Sequence, residues 1–138
     1  MAFRRIDLAG PDIERQITFL IKKLVLDIAA NLRVEPTKGG TPVDTGWARS
    51  NWLVRLRERP SAPVGKRPSS KGQPGVDEGA ADASIAEFVT GYVITAGNIY
   101  ISNLVPYIAR LNDGTSKQAP AGFVERAILK AIVEDSKQ

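Results

Sequence analysis

A chain of 138 residues with no histidine and no cysteine has no thiol nucleophile, disulfide, zinc-finger ligand set or histidine-based general base. At roughly 100 to 200 residues per domain, residues 1–138 read as one domain. Nineteen Lys+Arg against 15 Asp+Glu leave a net charge of +4, which points to a polyanionic partner only if the excess is concentrated.

Met1 to Gly10 carries Arg4, Arg5 and Asp7 and lacks the apolar run of a secretory leader. The longest apolar candidate for a span, Ile17 to Ala30, is interrupted by Lys22, Lys23 and Asp27. It is too short for about 30 Å of hydrocarbon. The expectation is a soluble, cytoplasm-made chain with no membrane partner.

From Pro11 to Arg33, the residues Ile13, Ile17, Leu20, Ile21, Leu24, Ile28 and Leu32 recur at spacings of three and four, which predicts one long amphipathic helix. Pro36 to Thr41, with one proline and two glycines, ends it. Asp44 then stands where an N-cap would start a short helix from Thr45 to Ser50. Asn51 to Arg59 alternates: Trp52, Val54 and Leu56 fall on one strand face, Arg55, Arg57 and Arg59 on the other. Pro60 to Gly79 holds four prolines, four glycines and three serines with almost no apolar bulk, which predicts a long flexible loop. Ala80 to Thr90 has helical spacing in Ile85, Phe88 and Val89. Asn98 to Asn103, after the turn signal Thr95-Ala96-Gly97, reads as a second strand pairing with the first. Pro106 to Leu111 is a helical turn ended by Asn112-Asp113-Gly114. A last helix opens at Pro120 and runs to Asp135, with Phe123, Ala127 and Ala131 beside Val124, Ile128 and Ile132 on its apolar face. The fold class is therefore α+β: long N-terminal and C-terminal helices packed on a small antiparallel sheet, with a flexible Pro/Gly-rich loop at 60–79.

Catalysis would have to rest on carboxylates, lysine, tyrosine or an oxygen-ligated metal. Asp77, Glu78 and Asp82 cluster at the edge of the loop but lack the ligand spacing and pivotal glycine of a calcium loop. They read as acids complementing a helix start, and Glu134 and Asp135 as a solvated end. Gly65-Lys66 and Gly72-Gln73 do not lie between a strand and a helix as a phosphate loop requires. No serine sits in a nucleophile elbow. The expectation is a non-enzymatic chain without cofactor or metal; a carboxylate-dependent hydrolase working through Asp77 or Asp82 is the contrary hypothesis.

One feature has physical direction. Between Arg55 and Lys71, Arg55, Arg57, Arg59, Lys66, Arg67 and Lys71 face Glu58 alone, a local excess of +5, while the remainder nets −1. Such a surface reads either as a solvated face or as a contact for backbone phosphates, with a log–log salt slope of up to about −5 if all six engage. The loop has no aromatic to stack on a base, so base readout is not expected. Of the two tryptophans, Trp52 belongs to the apolar strand face. Trp47 stands as a core residue or as an anchor at a subunit interface, where tryptophan is enriched.

Pro42-Val43-Asp44-Thr45-Gly46 with Trp52 after it, Ile99-Tyr100-Ile101-Ser102-Asn103, Pro106-Tyr107, and the run from Gly114 to Val124 together resemble the neck and tail-completion proteins of long-tailed bacteriophages. The matches run in the family's order from about residue 42 to 128. The resemblance implies a structural virion protein that forms a ring, commonly of six subunits, at the head-proximal end of the tail. It implies as partners the head connector or stopper and the tail tube, with genomic DNA passing through the lumen. The matched residues read as fold punctuation: Asp44 a cap, Gly114 a helix stop, Pro120 a helix start, Tyr107 a half-buried aromatic. Trp47 stands where a smaller or basic residue would be expected, and the loop is long. The alternative is a sequence-independent nucleic-acid-binding module.

Overall fold

The computed structural model describes residues 10–42, 46–65, 78–115, 117–118 and 120–136. Helix α1 spans Gly10–Arg33, and two rows of its side chains diverge. Leu24, Ile28 and Leu32 pack against the C-terminal helix with Phe123, Ala127 and Ala131. Ile21, Val25 and Ala29 pack against the sheet and the helix beside it with Val54, Phe88 and Tyr92. The long amphipathic pattern thus serves two neighbours at once.

The chain leaves α1 through a short 3₁₀ turn, Pro36–Lys38, and folds back on the helix end. Leu32 O, one of the carbonyls left over at the terminus, accepts from both Thr41 N (3.0 Å) and Thr41 Oγ1 (2.6 Å). The Trp52 indole N–H in turn donates to Thr41 Oγ1 at 2.7 Å, so a fully buried hydroxyl joins the two segments. Gly40 makes this return possible, since a Cβ there would lie 1.8 Å from Val34 O.

Helix α2, Trp47–Ser50, starts two residues later than expected. Gly46, at φ 90°, occupies the cap position instead of Asp44, which lies outside the described residues. Strand β1, Leu53–Leu56, pairs antiparallel with β2, Ile99–Ser102, in the register Leu53↔Ser102, Val54↔Ile101, Arg55↔Tyr100, Leu56↔Ile99. The pairing is as expected, but β1 is shorter than Asn51 to Arg59 for two local reasons. Asn51 is committed to the α2 end, donating to Trp47 O at 2.9 Å. Arg57 adopts a left-handed φ of 70° that turns the chain out of the strand.

Helix α3, Gly79–Gly91, covers the free edge of β1. Val54 N donates to Ser84 Oγ at 3.1 Å, and Ser84 Oγ donates to Ala81 O, so an edge amide is satisfied by a side chain. Helix α4, Ile108–Asn112, leads to α5, Phe123–Ser136. That last helix begins at Phe123 and not at Pro120, because its start is fixed from outside. Asn112 O accepts from Gly122 N at 2.7 Å, and Asn112 Oδ1 accepts from Val124 N at 3.0 Å.

On α5 the row Phe123, Ala127 and Ala131 is buried as expected. Ile128 and Ile132 are not: they are 38% and 47% exposed. The small alanines bring α1 close along one narrow i, i+4 row; Val124 still packs on that core, while Ile128 and Ile132, one position on from the alanines and turned by 100°, fall beyond its reach. The architecture is mixed α and β, with a long N-terminal helix, a C-terminal helix and a small two-stranded antiparallel sheet.

Candidate functional site

The surface that carries the charge is the outward side of the two-stranded β1–β2 sheet. The inward side is apolar: Val54, Leu56, Ile99 and Ile101 pack on α1 and α3. On the other side, cross-strand pairing sets Arg55 directly opposite Tyr100. Arg59, past the end of the strand, returns to the same ring, its guanidinium carbon 5.9 Å from the centroid, within cation–π range. Arg55 and Arg59 are exposed and Tyr100 is half-buried. The alternation is incomplete, because Leu53 shares a strand side with Arg55 and is nonetheless buried.

Arg57 does not join this group. Its amide donates to Asn98 O at 2.8 Å, and its guanidinium donates to Ala96 O at 3.2 Å. Its side chain also crosses Gly97, whose φ is 106° and where a Cβ would sit 3.0 Å from Arg57 Cγ. Arg57 therefore fastens the segment preceding β2. Lys66, Arg67 and Lys71 lie outside the described residues. Of the six basic residues singled out in the sequence, the structure brings Arg55 and Arg59 together and adds Tyr100 between them. That ring is more than 40 positions away along the chain, and only the strand register reveals it.

The loop after β1 is anchored where it is described. Val64 O accepts from the Trp47 indole at 2.8 Å, and Val64 N donates to Asn51 Oδ1. Of the loop expected to be flexible, 60–79, Gly79 belongs to α3, and residues 66–77 lie outside the described ones. The same contacts place Trp47 in the core: it is 6% exposed, packs with Ala48 and Val105, and lies 6.2 Å from the half-buried Tyr107 ring. As an anchor for a neighbouring subunit it has almost no free surface to offer. The larger exposed apolar surface is on α5, where Ile128, Leu129, Ile132 and Val133 are 38–59% exposed. Beside it a groove of about 430 Å³ is lined by Leu129 and Val133 with Lys38, Arg126 and Lys130.

The acidic candidates face cations. Asp82 lies 2.9 Å from Arg33, and Glu78 is 3.7 Å from Arg33 and 3.6 Å from Arg49, so these acids link α1, α2 and α3. Asp77 is outside the described residues. Between α1 and α5, Lys23 Nζ bridges Asp27 at 2.8 Å and Asp135 at 2.7 Å. The Asp135 and Asp27 carboxylates hold the Lys23 ammonium well above its ordinary range. Burial pushes the Asp27 carboxyl up, but its hydrogen bonds with Lys23 and Asp135 outweigh that and leave it below the usual value. The Asp135 side chain is 10% exposed, so of the expected solvated end Glu134 is exposed but Asp135 is a tie between helices. Among the described residues no group of three or more acidic side chains is placed to hold a metal ion, and no helix is long and apolar enough to cross a membrane.

No protein-family model, curated protein or solved structure matches this chain.

Proposed function

We propose that this chain is a structural, non-catalytic protein of a phage neck, assembling as a ring that completes or terminates the tail and joins it to the head connector around the DNA channel. The observation that carries the reading is the ordered motif series from residue 42 to 128. Gly46 opens α2, Tyr107 packs on Trp47, and Gly114, at φ 93°, ends the turn after α4. Two surface features support it. The outward Arg55 and Arg59 give DNA a basic surface to pass, or a neighbouring ring a surface to meet. The exposed row on α5 gives a second copy of the chain an apolar surface to cover, in a place where a monomer gains nothing from exposing it.

Light scattering on the purified chain, alone and with isolated tail tubes or connector, tests the reading. Assembly to a multimer of defined mass, or stable attachment to either partner, is expected. A chain that remains monomeric and attaches to neither contradicts it. Substituting Leu129→Asp introduces a charge into the α5 row and is expected to shift the multimer towards monomer while leaving far-ultraviolet dichroism unchanged.

A further inference from the structure

We propose that Arg55, Tyr100 and Arg59 form a nucleic-acid site that takes a single strand, one base stacking on the Tyr100 ring and the adjoining phosphates pairing with the two guanidiniums. This rests on reading the outward arginine face as facing nucleic acid, independently of a ring around a duplex, and it specifies which part of the nucleic acid that face engages. Arg55 and Tyr100 are cross-strand partners, so a cation and an aromatic ring rise side by side from a paired, ordered sheet. The Arg59 guanidinium at 5.9 Å from the ring centroid shows that a planar group reaches the ring face from the solvent side. A nucleobase is a planar group with the same stacking habit.

Arg57, held to Ala96 O, is spent on the fold, which leaves the two arginines flanking the ring as the phosphate partners. When a base takes the ring face, Arg59 exchanges the ring for the neighbouring phosphate, where its forked donors pair with two oxygens. Neither partner is lost in the exchange. In a duplex the base faces are already stacked on one another and only phosphates are offered, so the site favours the single strand.

The test is fluorescence anisotropy of a labelled oligothymidylate and of a duplex of equal length, titrated with the purified full chain at two salt concentrations. Tighter binding of the single strand is expected. Tyr100→Phe keeps the ring and retains that affinity. Tyr100→Leu keeps the bulk without the π face and lowers it about five-fold or more. The double variant Arg55→Ala/Arg59→Ala lowers the single-strand salt slope by about 1.4. Lys130→Ala, a charge loss on α5, leaves binding unchanged. Equal affinity for both forms, unaffected by Tyr100→Leu, overturns the stacking site while leaving the DNA-facing reading intact. Failure to bind either form overturns both, and ring assembly is decided separately by scattering.

Discussion

The two sides of the β1–β2 sheet are built from alternate residues of the same eight-residue ladder, yet they obey different rules. On the inner side Val54 and Ile101 are paired across the strands and sealed by Phe88, Val25 and Ala29, so each side chain is fixed by several neighbours. On the outer side Arg55 and Tyr100 are paired by the same register, and Arg59 comes over the Tyr100 ring. The inner side is determined by packing, whereas on the outer side Arg55 and Arg59 are exposed. Charge alone does not mark the difference, since Arg57 leaves the outer group to hold Ala96, and Lys23 and Asp135 tie two helices together.

The sharpest way to break the contrast is to empty the inner side. Phe88→Ala removes one of the largest fully buried side chains and is expected to cost about 3–5 kcal/mol, read from the denaturant midpoint. Next comes the structural charge. Lys23→Met leaves the mostly buried Asp135 without its cation, at an expected cost of about 1–3 kcal/mol. The pH dependence fixes the assignment. Lys23 is raised above 10.5, so its contribution is complete below that pH and fades as pH rises through the raised value. Asp27 is lowered from 3.8, so its contribution is complete above 3.8 and fades as pH falls through the lowered value. The wild type should therefore exceed Lys23→Met by a constant margin at neutral pH, and the margin should shrink below pH 3.8. The smallest effect belongs to the outer side: Arg55→Ala should change stability by no more than about 0.5 kcal/mol, because Arg55 is exposed. A cost comparable to Lys23→Met would show that the outer side is structural too.

Periodicity made α1, the strand pairing and α3 legible, because each carries a pattern set by its own neighbours in sequence. What escaped was set from a distance. The start of α5 depends on Asn112, the end of β1 depends on the left-handed turn at Arg57, and the exposure of Ile128 and Ile132 depends on how closely two alanines admit α1. The site followed the same division. The arginines of β1 stand out as a run, whereas Tyr100 enters only through the register that sets it opposite Arg55. Trp47 has the composition of an interface anchor, and the Val64 carbonyl that its indole meets is what assigns it to the core.

The central claim, a ring at the neck, is met most directly by imaging purified tails after incubation with the chain. The account predicts a ring-shaped density added at the head-proximal end and nowhere else on the tail. Tails that gain no density, or that bind the chain at scattered positions along the tube, would contradict it.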